Sequence, residues 1–417
     1  MKIRNLFEIQ IFKNNSQYIR LLMKTFKQHL NTIFNHKRSF VLLLLKSKQK
    51  NQYMKVKDIT NYLESIIPLE LQEDYDNSGM ITGSPDQETE AALLCLDTTE
   101  AVLDEAIKKK CSLIISHHPL IFNGIKKITD TEEDQRILIR AIRNNISVYA
   151  MHTNLDNAFD GLNALLCKKA GINGYKILLP STNKLSKLVT FCPDDYAEKV
   201  RMALFHGGAG HIGNYDYCSY NIRGQGTFRA SEQSQPFVGE KQKLHFENEI
   251  RIEVIFPSFL EHRLIKSLKQ NHPYEEVAYD IYPLKNIYEK AGAGLVGNLE
   301  EEKDLFEVFE NIKRITGIPV IRHSALTGKK IKRIAVCSGS GSFLIQDAIS
   351  EKADLFLTAD LKYHDFFKSR NKIIIADIGH YESEQFVKEW IYSVLIEKFP
   401  TFAFLISETN TNPVNYY

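Results

Sequence analysis

From residue 54 onward, short apolar runs of strand length alternate with segments of helical periodicity, and this alternation constrains the fold more than any other feature. Strand-like runs at 91–96, 113–115 and 147–151 are separated by segments whose apolar residues recur every three or four positions. One such segment carries Val102, Ala106 and Ile107, with cap candidates at 97–99, and another spans 135–144. A first helix places Val56, Ile59, Tyr62, Leu63, Ile66 and Ile67 on one face and ends near Pro68. Strands separated by helices of this length predict an α/β core with a largely parallel or mixed sheet.

The pattern changes between 181 and 290. Strands are expected at 187–192, 249–256 and 277–282, with helices at 194–204 and 258–270 and a polar, glycine-containing stretch between the two halves. Two strand–helix–strand units of this kind suit a small ferredoxin-like α+β domain. The α/β pattern then resumes, with a helix at 304–316, strands at 332–336, 354–358 and 372–377, and a helix at 383–397. The expected organisation is a discontinuous core, 54–180 and 291–417, interrupted by an inserted domain at 181–290.

Of 417 residues, 43% are hydrophobic and 25% charged, as in a folded globular chain. The net charge of +2 is unevenly spread. Residues 1–53 carry eleven Lys/Arg against one acid, Glu8, which makes them +10 and leaves −8 for 54–417. A mildly acidic body argues against nucleic acid as a partner, because phosphate binding needs clustered positive charge. No apolar run reaches the ~18–20 residues of a membrane-spanning helix; the longest is 41–45. The cysteines at 95, 111, 167, 192, 218 and 337 form no CxxC pair, which reads as reduced thiols in a cytoplasmic protein. The basic stretch 1–53 resembles a targeting peptide in lacking acids, but it favours Lys over Arg and is sparse in Ser. The preferred reading starts translation at Met54 and treats 1–53 as an extension outside the fold.

Three clusters of chemistry-bearing residues follow directly after expected strands, where open α/β sheets place their ligands. His117 and His118 come first; adjacent side chains on extended backbone point to opposite sides and so can serve two different ions. Asp156 comes next, with His152 four residues earlier. His380 and Glu384 stand at i, i+4 on a helix and share one face, with Gly379 permitting the turn before them. Any one cluster alone is commonplace in a core or on a surface. Together, three imidazoles and two carboxylates suit two divalent ions of the Zn, Fe or Mn kind, and not Ca or Mg, which prefer all-oxygen shells.

The segments Ser116-His117-His118-Pro119-Leu120-Ile121-Phe122, His152-Thr153-Asn154-Leu155-Asp156 and Gly379-His380-Tyr381-Glu382-Ser383-Glu384-Gln385 closely resemble the signatures of the dinuclear metal-centre family labelled GTP cyclohydrolase I type 2. Tyr75-Asp76-Asn77-Ser78-Gly79 is similar to the family's first motif, with Tyr75 where Trp is commoner, and residues 272–280 resemble the inserted domain of its longer members. The resemblance implies two metal ions with Glu384 as bridge, His117 and His380 on one ion, and His118 and Asp156 on the other. It further implies a toroidal homohexamer with sites facing an inner cavity, and a hydrolase acting on a nucleotide-like small molecule, GTP in particular, through a metal-activated hydroxide. A non-enzymatic metal-binding or metal-sensing scaffold is the alternative.

Weaker signals surround these clusters. His364 is the candidate general acid, and His152 is a candidate to orient Asp156 or donate to substrate. Asp76 and Asn77 are candidates for the mouth of the site. Residues 338–342 (Ser-Gly-Ser-Gly-Ser) read either as a phosphate cradle or as a tight strand-to-helix turn. Cys337, with no adjacent base, reads as core.

Overall fold

The computed structural model describes residues 53–417, so the readings made for residues up to 52 lie outside the described part. Two sheets build the core. The first runs in the order Ala403–Ile406, Ala91–Cys95, Leu113–Ser116, Ser147–Ala150, Gly79–Thr82, all parallel except the last. The second runs Arg322–His323, Ile374–Asp377, Leu355–Ala359, Ile331–Ser340, Tyr288–Lys303, Ile172–Ser181. Its three middle members from Ile374 to Ser340 are parallel and the others antiparallel.

The apolar runs seen in the sequence are continuous because these strands are covered on both faces. Along the strand Ala91–Cys95, Ala92 and Leu94 face a cluster that also holds Tyr149, Val336, Leu357 and Ile391. Ala91, Leu93 and Cys95 face the other way, against Val102, Leu103 and Ala106 of the helix Glu100–Lys108 and Ile137 and Ala141 of the helix Glu133–Arg143. The first cluster joins residues of both sheets to the helices Leu162–Ala170, Leu305–Thr316 and Val387–Lys398, so the two sheets share one core.

A third, antiparallel sheet lies within the 181–290 segment, in the order Tyr279–Leu284, Leu185–Pro193, Leu244–Pro257, Tyr220–Arg229. With the helices Ala197–His206 and Glu261–Asn271 it has its own buried cluster around Leu188, Val200, Ile252, Phe256 and Leu264. In chain order its strands are arranged 4-1-3-2, the split β-α-β connectivity.

Several elements depart from the sequence reading. The strand Tyr220–Arg229 falls in the stretch read as merely polar; it is an edge strand exposed over nearly its whole length, so no apolar alternation marks it. The 16-residue strand Tyr288–Lys303 and its partner Ile172–Ser181 were not anticipated, since Gly292, Gly294 and Gly297 and three consecutive glutamates interrupt the apolar pattern. The glycines are used for close approach: a Cβ at Gly292 would lie 2.2 Å from the Leu179 carbonyl oxygen on the neighbouring strand. The helix expected at 383–397 is two helices, His380–Glu384 and Val387–Lys398, broken where Gln385 turns its amide to the Thr316 carbonyl at 2.7 Å.

Candidate metal centre

The C-terminal ends of parallel strands from both sheets converge on one cluster of side chains. The strand Leu113–Ser116 stops at Ser116, whose hydroxyl donates to the His118 carbonyl at 2.8 Å. His117 and His118 lie in the bend just past the strand end. Both rings turn toward Glu384, with ring centroids 5.0 Å apart. The strand Ser147–Ala150 delivers His152 and then Asp156 on the short helix Thr153–Asn157. From the second sheet, Ile374–Asp377 delivers His380 and Glu384 after Gly379, whose φ of +78° makes the turn that lifts them over the strand ends.

Glu384 is at the centre. Its Oε2 lies 3.0 Å from His118 Nε2, 3.0 Å from His380 Nε2 and 3.8 Å from His117 Nε2. His117 Nε2 is also 3.7 Å from Asp156 Oδ1, and His118 Nε2 is 3.4 Å from His380 Nε2. Among the described residues, three groups have all their ligand atoms within 4.8 Å of one another: His117–Asp156–Glu384, His118–His380–Glu384 and His117–His118–His152. Glu384 belongs to the first two, the place a bridging carboxylate takes. The first two groups pair His118 with His380 and His117 with Asp156, which differs from the pairing that the resemblance implies.

Each imidazole is held by its outer nitrogen. His117 Nδ1 bonds the Met151 carbonyl at 2.6 Å, His118 Nδ1 bonds Asp97 Oδ1 at 2.6 Å, and His380 Nδ1 bonds Asp360 Oδ2 at 2.7 Å. His152 Nδ1 bonds Asp76 Oδ1 at 2.6 Å. An outer acceptor on Nδ1 fixes the ring so that Nε2 faces inward as an electron-pair donor, the arrangement characteristic of metal-ligating histidines. His117 Nε2 and Asp156 Oδ1 are buried without a hydrogen-bond partner. Orphaned buried polar atoms are costly, and a cation between them would satisfy both. The donor set therefore fits a divalent metal ion.

The charges within the cluster lock together. Burial favours neutral rings, yet the hydrogen bonds to Asp97 and Glu384 raise His118 to about 10, and those to Asp360 and Glu384 raise His380 to about 11. Burial alone would raise the Glu384 carboxyl, but the three imidazoles gathered around it hold it well below the usual range. Asp156 is pushed up by burial against the pull of His117.

The structure brings together His117, His118, Asp156, His380, Glu384 and His152. It does not bring in His364, which lies exposed on the turn Tyr363–Ser369 against the rings of Tyr363 and Phe367. The residue of that segment that reaches the cluster is Asp360, at its start. Asp97, expected among the helix-cap candidates, is freed for His118 because Thr99 caps the helix, its hydroxyl accepting from Val102 N at 3.3 Å. Asp360 directly follows the parallel strand Leu355–Ala359, the position that also marks His117, and that signal could have found it; Asp97 comes two residues after the strand Ala91–Cys95.

Asp76 braces the site. Its carboxylate holds His152 Nδ1 and accepts from the Thr153 backbone N and hydroxyl, while Asn77 Nδ2 donates to the Ile121 carbonyl at 2.6 Å. At the mouth, the exposed rings of Tyr75 and Phe122 lie 6.2 Å apart, and Phe122 stands edge-on to His152 at 6.0 Å. In the 338–342 segment the Ser338 amide donates to Asn163 Oδ1 at 2.8 Å and the Gly339 amide to Ser383 Oγ at 3.0 Å, so neither is free for a phosphate. Gly339, with φ +61°, is instead the floor beneath Glu384, where a Cβ would come 2.1 Å from Oε1. Burial pushes the Cys337 thiol far up, leaving no nucleophile there.

All six cysteines are unpaired. Among the described residues, no helix is long and apolar enough to cross a membrane.

The family model for Duf34/NIF3 (NGG1p interacting factor 3) matches residues 54–413. A "GTP cyclohydrolase 1 type 2 homolog" of Halalkalibacterium halodurans is 35% identical over 354 residues, covering 84% of this chain and 95% of that relative. Its Bacillus subtilis counterpart is 35% identical over 365 residues, covering 86% and 97%. The crystal structure of a Bacillus cereus protein related to NIF3 superposes with a TM-score of 0.75 at 35% identity, covering 87% of this chain and 99% of that one.

Proposed function

The chain belongs to the Duf34/NIF3 (NGG1p interacting factor 3) family, and from that premise we propose that it is a dinuclear metal-dependent hydrolase acting on a nucleotide-like small molecule. The observation that carries this reading is the convergence of three inward-facing imidazoles on Glu384 and Asp156, with His117 Nε2 and Asp156 Oδ1 buried and unpartnered. Divalent ions of the Zn, Fe or Mn kind would supply Lewis acidity and a lowered pKa for nearby water.

The chain's own residues do the rest. Met151 O, Asp97 and Asp360 fix the three rings, and Glu384 presents one oxygen to all of them. His152, oriented by Asp76, leaves its Nε2 for proton transfer to a leaving group; it replaces His364 in that role because it sits in the cluster. The exposed faces of Tyr75 and Phe122 offer a surface on which a planar base can stack. We further propose that the antiparallel sheet within 181–290 is an inserted domain, and that the chain assembles as a homohexamer with its sites turned inward.

GTP ring opening is the reaction suggested by the relatives' names. Metal-loaded protein incubated with GTP should release formate, and an Asp156→Ala variant should not. Formate at or below the variant's level, with metal bound, would sink the enzymatic reading in favour of a metal-binding scaffold.

A further inference from the structure

The segment that follows the strand Ala403–Ile406 crosses from the first sheet to the second beside the cluster. It starts firmly anchored: Ser407 N donates to the Leu94 carbonyl at 2.8 Å, and Glu105 accepts from the Ser407 hydroxyl, the Glu408 amide and the Thr409 hydroxyl. Thr411 then donates its hydroxyl to Asp97 Oδ2 at 2.5 Å, while Asp97 Oδ1 is held by His118. The next residue, Asn412, donates Nδ2 to Glu382 Oε1 at 2.9 Å.

Glu382 is buried in the same helical turn as His380 and Glu384, and its other oxygen occupies the space left by Gly379, where a Cβ would come within 2.1 Å. The dipeptide is itself stiffened: Asn412 N bonds Asn410 Oδ1 and Val414 N bonds Asn412 Oδ1, both at 3.0 Å, with Pro413 between.

We propose that Thr411 and Asn412 are positioning residues for the metal centre. Thr411 holds Asp97 against His118 on the first sheet. Asn412 holds Glu382 in the turn that carries His380 and Glu384 on the second. Neither residue bonds a ligand: Thr411 acts through Asp97, the partner of His118, and Asn412 through Glu382, which shares the helical turn of His380 and Glu384; together they keep the two halves of the site in register. The inference rests on the metal-binding reading above, and the test separates the two.

The full chain is stripped of metal and titrated with cobalt(II), read by its visible absorption, which reports coordination geometry, and by competition with a chelator. The parent should bind. Thr411→Val, which keeps volume but loses the hydroxyl, should bind several-fold more weakly, short of the about 10–100-fold cost of losing an outer partner itself, with an altered spectrum. Thr411→Ser should restore both affinity and spectrum. Asn412→Ala should weaken binding independently, and since Thr411 and Asn412 are only part-buried it serves if Thr411→Val folds poorly.

Affinities within twofold of the parent and superimposable spectra for Thr411→Val and Asn412→Ala would overturn the proposal. So would a Thr411→Ser variant as impaired as Thr411→Val, because that marks packing and not the hydrogen bond. A parent that takes up no cobalt would overturn the metal reading on which the inference stands.

Discussion

The two sheets contribute unequal halves to one centre. On the first sheet, His117 is completely buried and bonded to a main-chain carbonyl, and His118 is a quarter exposed. On the second, His380 is 37% exposed and its partner Asp360 is 50% exposed, on a residue with φ +54°. The first half is built into the ends of covered parallel strands. The second stands on a glycine turn and on contacts reaching it from elsewhere. A site divided this way has a more buried imidazole wall and a more exposed one, and its assembly depends on what ties them together.

The largest effect should come from disturbing the point where the halves meet. Gly339→Ala places a methyl 2.1 Å from Glu384 Oε1 and forces a left-handed conformation that costs an L-residue about 1–2 kcal/mol. Metal uptake should fall to a small fraction of the parent's, with a lower melting temperature. Normal metal content in this variant would mean that Glu384 is not seated as described.

A smaller effect sharpens the inequality itself. Asp97→Asn and Asp360→Asn each remove a carboxylate from an imidazole Nδ1, and each should weaken metal binding about 10–100-fold. Asp97 is the less exposed, at 31% against 50%, and also carries Thr411, so its loss should be the greater in chelator competition. A larger loss for Asp360→Asn would reverse the ranking of the two walls.

The smallest effect concerns the anchor of the crossing segment. Burial would raise the Glu105 carboxyl, but Lys109, Ser407, Glu408 and Thr409 together hold it at about 2. A carboxyl depressed on folding stabilises the protein above its unfolded value near 4.5, and that contribution fades as pH falls toward 2. Metal-free protein should therefore lose stability in acid, and Glu105→Gln should lose less across the same range in denaturant titrations. Parallel acid profiles would remove Glu105 from the account.

The parallel strands were legible because buried strands are uniformly apolar, and the candidates His117, His118, Asp156, His380 and Glu384, which the fold brings together, because they fall at or shortly after the strand ends. What the sequence did not reveal depends on distant pairing. Asp97 reads locally as a cap, and only the fold shows that Thr99 takes that role. Asp360 sits in the right segment, but the eye goes to His364, whose chemistry is more conspicuous and whose side chain lies outside the cluster. Tyr220–Arg229 carries almost no burial signal. The crossing segment is legible only once two sheets are seen to need a tie.

The most direct test of the central claim is metal content per chain by mass spectrometry, comparing the parent with Glu384→Ala. A bridged pair predicts about two equivalents in the parent after reconstitution with Zn, Mn or Fe, falling clearly in the variant. A parent that retains no metal, or a variant that retains as much as the parent, would contradict it.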